Sequence, residues 1–277
     1  MNSTQNLEFL NDFEFDKFVD FIRKNQGIDL SFYRKSFVLR RLRLRMSQTE
    51  SENYLDYVNC IKKVPEEFSN FLDALGINVT EFFRDPEVFA AFKEKTLAEL
   101  ISRKESSYQS TIRIWSAACA SGEEAYSLAI TVKEALERTK KVFKVGIWAT
   151  DMDSDALSKA KKAEYKAFDL RKLDKKILEK YFIPAYNSLY NLKEEVKQMV
   201  TFQRHNLITD EPLNFMDVIF CRNMMIYLNR QQQEAMAVKF HHGLNSKGYL
   251  VVGKVESVWG KDLFKLVETR EKIYQKI

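Results

Sequence analysis

A doubly wound parallel α/β sheet preceded by an all-helical segment is the fold this sequence predicts, on three observations. Apolar residues recur at helical spacing through roughly the first 75 positions, with no strand-like run among them. From about residue 110, apolar strands alternate with helices, the order that builds a parallel sheet. The predicted strands then end in small, acidic or amide residues, at the edge where open α/β sheets hold their ligands.

Composition bounds what such a chain can be. Its 277 residues suffice for one large domain or two smaller ones, with a substantial core. Apolar residues at 45% and charged residues at 30% are ordinary for a globular protein. No apolar run approaches the ~20 residues that span a bilayer. The opening "MNSTQNLEFLNDFEF" has neither a basic n-region nor an apolar h-region, so a cytoplasmic location is expected. Cys60, Cys119 and Cys221 are scattered and odd in number, which predicts reduced thiols. His205, His241 and His242 are the only histidines and show no metal-ligand spacing, so no metal is expected.

In the first part, helices are predicted over "FDKFVDFIRKNQGI", the basic stretch 31–46, "NYLDYVNCIKKV" and "EEFSNFLDALGI", punctuated by Gly27 and Pro65. The stretch "SFYRKSFVLRRLRLRM" holds six cations and no acid. On a helix, Arg34, Arg41 and Arg45 share one face, and Leu39, Leu42 and Met46 the opposite one. A solvated face is the ordinary meaning of such a pattern. The missing acids keep an acidic partner open: a nucleic acid, a membrane or an acidic protein surface.

The domain plan is a helical domain over 1–77, a connecting and ligand-contacting helix over 78–109, and the α/β domain over 110–277. "TIRIWSAAC" is the first strand, and "GEEAYSLAITVKEALER" a helix with acids in its first turn. "FKVGIWATD" is a second strand, followed by "SDALSKAKKAEY", a helix capped by Ser154 or Asp155. "MDVIFCRN", "RQQQEAMAVKFHHGLN" and "GYLVVGK" continue as strand, helix and strand. The stretch 180–204 breaks the alternation, and its "MVTFQ" predicts a small antiparallel insertion.

Four places could carry chemistry. In "WSAACASGEE", Ala117, Ala118, Ala120, Ser121 and Gly122 let a ligand approach the backbone, and Glu123 and Glu124 follow at the helix start. A diphosphate would want free N–H donors there and no carboxylates. The pattern is loose, and acids that merely complement the helix dipole are an equal alternative reading of it. In "ATDMD", Asp151 is the better candidate for holding a ribose diol and Asp153 the runner-up. Together these strand ends fit a positively charged nucleoside without phosphates, and S-adenosylmethionine meets that description where NAD does not. In "IFCRNMMIYLN", Asn223 offers an amide, Arg222 a charge, and Tyr227 an aromatic ring one turn on. In "GINVTEFFRDPEVF", Thr80 and Arg84 are spaced to share a helix face, and Asp85-Pro86 marks the start of the next helix.

"NVTEFFRD", "WSAACASGEEAYSLA", "ATDMDSDALSKAKKAEY", "FQRHNL" and "DVIFCRNMMIYLN" resemble, in order and spacing, the CheR family of chemoreceptor glutamate methyltransferases. The resemblance runs from about residue 15 to the C-terminus. It implies a class I (Rossmann-like) S-adenosylmethionine-dependent methyltransferase domain behind an all-helical N-terminal domain. It implies methyl transfer to receptor glutamates, leaving S-adenosylhomocysteine. By matching position, it implies cofactor contacts from Asn78, Thr80, Arg84, Glu124, Asp151, Asn206, Leu207, Arg222 and Asn223. Arg84 and Tyr227 are the pair implied near the methyl acceptor. Arg34, Arg41 and Arg45 are implied to face the acidic helical bundle of the receptor, with the enzyme a monomer.

Some positions depart from the family pattern. Ala120-Ser121 replaces Ser-Thr, Ala125 replaces a proline, and Lys254-Val255 interrupts a Gly-His-Ser-Glu run. The segment after Tyr181-Phe182, "IPAYNSLYNLKEEV", is shorter than in members that dock a receptor's C-terminal pentapeptide and lacks their glycine-rich loop, so no such tether is expected. Other acceptors (another protein, RNA or a small molecule) would share the cofactor half. Against nucleic acid stand the absent Asp/Asn-Pro-Pro-aromatic signature and the few aromatic residues in the basic stretch. A binding module without activity would be expected to have lost Arg84, Asp151 or Tyr227, and all three are present.

Overall fold

The computed structural model describes residues 12–26, 28–75, 80–137, 139, 141–260 and 262–277. The chain forms two compact units, Met1–Ile77 with Tyr227–Arg230, and Asn78–Ile226 with Gln231–Ile277.

The helical unit contains α1 (Asp12–Gln26), α2 (Lys35–Gln48), α3 (Tyr54–Lys63) and α4 (Pro65–Leu75). Phe15, Phe18, Val19 and Ile22 recur at helical spacing on α1 and bury one stripe. Val38, Leu42 and Met46 do the same on α2, and Phe18 meets Phe71 edge to face at 5.3 Å. Asn53 caps α3 by accepting the Asp56 N–H. Arg45 does not join a free basic face. Its guanidinium donates to both carboxylate oxygens of Glu67 on α4, and Tyr57 donates its hydroxyl to the same carboxylate at 2.7 Å. The acid missing from stretch 31–46 is thus supplied 22 residues along the chain, and Arg45 is an interior residue with a side chain 16% exposed. Arg40 and Arg43 are exposed instead.

The α/β unit opens with α5 (Pro86–Ala91), a π-turn (Phe92–Leu97) and α6 (Ala98–Ser106). Pro86 sits in the first turn of α5, where its missing N–H costs nothing. Then come β1 (Thr111–Ala117), α7 (Glu123–Leu136), β2 (Lys144–Asp151), α8 (Ser154–Lys162) and β3 (Glu164–Lys166). The chain continues through α9 (Lys175–Tyr181), β4 (Phe182–Pro184), β5 (Leu189–Leu192), α10 (Glu194–Lys197) and β6 (Val200–Arg204). It ends with β7 (Met216–Cys221), α11 (Arg230–Gly243), β8 (Leu244–Val252), β9 (Phe264–Glu268) and β10 (Ile273–Lys276).

The main sheet has the order β6-β2-β1-β7-β8-β10-β9. The first five strands are parallel neighbours, and β10 runs antiparallel to both β8 and β9. Strand order reverses between β1 and β7, which makes their carboxyl ends the switch point of the sheet. All six residues of β7 are buried, as both faces of a central parallel strand require. Phe89 and Phe92 pack on Phe220 from one side.

The structure corrects two sequence readings here. "MVTFQ" is not part of an antiparallel insertion: Val200–Arg204 pairs parallel with β2 as an edge of the main sheet. The insertion is the separate three-stranded sheet β3-β5-β4, built from 164–192. An edge strand alternates between covered and open faces, and so carries the same periodicity as an antiparallel hairpin. The sheet closes with β9 and β10, two strands that the sequence pattern does not predict.

Burial alone would raise the Glu67 carboxyl, but hydrogen bonds from Arg45 and Tyr57 outweigh it and hold the group below its ordinary value. A depressed carboxyl contributes stability above its unfolded-state pKa and loses it as pH falls through the folded one. Arg45→Ala is expected to destabilise the protein by about 3 kcal/mol at pH 7. The gap should shrink in acid below 4.5, where Glu67 protonates in the unfolded and then the folded chain. Urea unfolding at pH 7 and pH 3 checks both parts, and an unchanged midpoint at pH 7 would contradict them.

Candidate cofactor site

β1 leaves the sheet through a turn of small residues. Ala118, Ala120 and Gly122 all have positive φ, and the turn is tied to β2 by the Cys119 N–H on the Thr150 carbonyl. Gly122 has no alternative. Its φ is +92°, and a Cβ there would lie 2.9 Å from the Ala160 Cβ and 3.1 Å from the Phe202 ring.

The two acids that follow diverge. Ser121 donates to the Glu123 carboxylate, whereas the Glu124 carboxylate accepts from the Ser116 hydroxyl at 2.9 Å and lies 3.5 Å from an Arg222 nitrogen. Burial raises the Glu124 carboxyl, opposed by the Arg222 charge, the Ser116 hydrogen bond and the charge of Arg84. Arg222, on the exit of β7, also donates to Asp85 at 2.5 Å, and its side chain is 1% exposed. Its guanidinium is therefore engaged by two carboxylates of its own chain and rests over the Phe89 ring.

Thr80 and Arg84 do not share a helix face. Residues 80–85 are extended and turn structure, with Phe83 and Asp85 in the left-handed region. Phe82 packs edge-on against Tyr165 and Phe182, and the Phe83 N–H donates to Ser127 on α7. These anchors replace the helix. Thr80 lines a cleft of about 200 Å³ with Glu123, Asp169 and Lys172. Asn78 lies outside the described residues.

At the end of β2, Asp151 accepts the Ala120 N–H on Oδ2 at 2.8 Å and the Asp153 N–H on Oδ1 at 3.0 Å. Burial raises this carboxyl, against those N–H bonds, and the Asp153 charge raises it further. Asp153, the runner-up, is the helix cap: its carboxylate accepts from the Asp155 and Ala156 N–H groups at the start of α8. The cap expected at Ser154 or Asp155 thus sits one position earlier, leaving Asp151 for a ligand.

After β6, the His205 N–H donates to the Asp151 carbonyl. Asn206 spends its side-chain oxygen on the Ile208 N–H, and Leu207 is buried. Lys239 on α11 holds this loop from behind. Its ammonium donates to the Leu207, Ile208 and Asp210 carbonyls at 2.7, 3.0 and 2.6 Å. Nothing in the sequence pointed to Lys239, because all three partners are backbone groups about 30 residues away.

Tyr227 belongs to the helical unit. Its ring lies 4.5 Å from that of Phe37, and its carbonyl accepts the Arg34 N–H. The Arg34 side chain donates to the Leu228 carbonyl. Arg41 is half-buried and lies over the Phe37 ring.

The donor set suits a nucleoside with a cationic centre. Each Asp151 oxygen has one N–H partner and a lone pair left for a diol hydroxyl. The β1–α7 turn offers small residues and two carboxylates where a phosphate binder would show open N–H groups. Sheet order and strand-end chemistry fit a methyltransferase of the class I, Rossmann-like kind. Two family models match the chain in succession, the all-alpha domain of CheR methyltransferases over residues 14–75 and their SAM-binding domain over 78–273. A chemotaxis protein methyltransferase of Borreliella burgdorferi is 34% identical over 269 residues, covering 94% of this chain and 95% of that one. Those of Vibrio cholerae (31%; 90% and 87% covered) and Salmonella typhimurium (32%; 93% and 88% covered) are similar along the same length. The chain belongs to the CheR methyltransferase family. No helix among the described residues is long and apolar enough to cross a membrane.

Asp151→Asn keeps one acceptor oxygen and loses the charge. A hydrogen bond to a charged group contributes about 1.5–3 kcal/mol, so S-adenosylhomocysteine should bind about 10- to 100-fold more weakly. Calorimetry reads this directly, and unchanged affinity would remove Asp151 from the site.

Proposed function

We propose that this protein transfers a methyl group from S-adenosylmethionine to side-chain carboxylates of specific chemoreceptor glutamates, giving methyl esters for sensory adaptation. The observation that carries the reading is the match of both family domains in order along nearly the whole chain, with relatives named as chemotaxis protein methyltransferases. The strand-end site supports it, because its buried acids suit a cationic nucleoside.

S-adenosylmethionine supplies an electrophilic methyl group when bound. Asp151 is proposed to hold the ribose, and Glu124, Asn206, Leu207, Asn223 and Thr80 to line the rest of the cofactor, with Asn78 added by family resemblance alone. Arg222 is proposed to act through Glu124 and Asp85 as well as by proximity. Arg84 and Tyr227 are proposed to meet the acceptor, Arg84 by orienting its carboxylate. A glutamate with pKa ~4.3 is ionised at neutral pH and is already a nucleophile, so no general base is needed. Orientation is then the main source of rate, and well-placed reactants gain about 7–11 kcal/mol from it.

Arg34 and Arg41 are proposed to face the acidic receptor bundle, while Arg45 is occupied by Glu67. The protein is proposed to work in the cytoplasm as a monomer, without nucleic acid and without membrane insertion. It is also proposed to act without a pentapeptide tether.

The direct test incubates the protein with methyl-labelled S-adenosylmethionine and membranes bearing the cognate receptor. Label released as methanol by mild base is expected, and deleting the receptor's C-terminal five residues should leave the rate unchanged. Base-stable label would mean another acceptor, and a rate that collapses on deletion would mean a tether. In the same assay Arg84→Ala should lower methylation at least about 100-fold, by loss of orientation. Near-normal turnover would exclude it from the acceptor site.

A further inference from the structure

β8 ends at Val252, and the chain turns back at Gly253 so that Glu256 points into the protein. Its carboxylate is held by backbone alone. Oε2 accepts the N–H of Gly253 at 2.6 Å and of Asn223 at 2.9 Å, and Oε1 accepts the N–H of Ile226 at 3.1 Å. Glu256 is 3% exposed, and among the described residues no cation lies within ion-pair distance of it. Burial raises its carboxyl, and those N–H groups work against the rise.

The approach is too close for any other residue at position 253. A Cβ on Gly253 would lie 2.6 Å from Glu256 Oε2 and 3.0 Å from both the backbone and side-chain nitrogens of Asn223. Asn223 has a left-handed backbone, with φ of 60°. Such a conformation persists in a non-glycine residue where its surroundings fix it. A buried carboxylate without a cation is costly to keep. Its three donors include two from the exit loop of β7, the stretch that carries Arg222 and Asn223.

We propose that Glu256 is a positioning residue for the cofactor: its carboxylate gathers the N–H groups of Asn223 and Ile226 and holds the β7 exit loop in the conformation that presents Asn223 to the ligand. The inference rests on the reading of Asn223 as a cofactor contact. Gly253 belongs to the same device, since its missing side chain admits the carboxylate.

Glu256→Gln keeps the shape but turns one acceptor into an NH₂ group facing N–H donors. Amide hydrogen exchange at residues 223–226 should accelerate about tenfold or more, with β1 and β8 still protected. S-adenosylhomocysteine should bind about tenfold more weakly by calorimetry, and KM for S-adenosylmethionine should rise accordingly with kcat changed less than about twofold. Asn223→Ala should weaken binding without altering exchange at Ile226. Parental affinity in Glu256→Gln, alongside weakened binding in Asn223→Ala, would overturn the positioning role. Parental affinity in Asn223→Ala would instead overturn the reading of Asn223. Should Glu256→Gln fail to fold, Gly253→Ala presses on the same carboxylate and is expected to show the same loop exchange and binding loss; parental affinity there would overturn the inference.

Discussion

Where β7 runs out, the chain places a guanidinium in the interior of the α/β unit, and much of the site follows from satisfying it. Arg222 is almost entirely removed from water, so its charge requires partners within the fold. Asp85 supplies one and Glu124 the other. The three residues come from the turn before α5, the start of α7 and the end of β7. Their mutual attraction therefore fixes three chain segments that are remote in sequence, and the small-residue turn before Glu124 is fixed with them. The same cluster moderates Glu124, which burial raises and the nearby arginines lower.

Backbone groups do the rest. Asp151 is held by two N–H groups and Glu256 by three, while Lys239 holds three carbonyls from the loop after β6. These interactions leave the local charge balance to Arg222 and its acids, and they specify loop conformation directly. A side-chain partner constrains only a side chain; an N–H or carbonyl partner constrains the path of the chain itself.

That distinction explains what the sequence made legible. Asp151 and Arg222 occupy strand ends in the parallel sheet and Glu124 the first turn of the helix after β1, as the apolar runs before them imply. Asp85-Pro86 marked the start of α5 correctly, since proline at a helix start is a local rule. The failures come from tertiary partners. The i,i+4 spacing of Thr80 and Arg84 gave way because Phe82 packs into the three-stranded sheet and Phe83 is held by Ser127. Arg45 read as a surface cation because its partner Glu67 lies on another helix. Val200–Arg204 read as insertion because edge position and antiparallel pairing leave the same alternation. Lys239 left no pattern, since it donates to backbone carbonyls, and Glu256 showed only as the end of the interrupted Gly-His-Ser-Glu run.

The chemistry proposed for the site makes this economy of free charge meaningful. An ionised acceptor carboxylate and a sulfonium both lose charge as they react, so strong electrostatic binding of either would deepen the ground state more than the transition state. A site with unpaired lysines and arginines would do that to the carboxylate. Around the strand ends Arg222 is instead committed to Asp85 and Glu124, and Asp151 and Glu256 to backbone N–H groups, with Arg84 proposed to orient the acceptor. Such a site gains little by attracting its reactants and much by fixing where they sit. Alignment of oxygen, methyl and sulfur is what an uncatalysed encounter in water lacks, and it is what rigid loop anchoring provides.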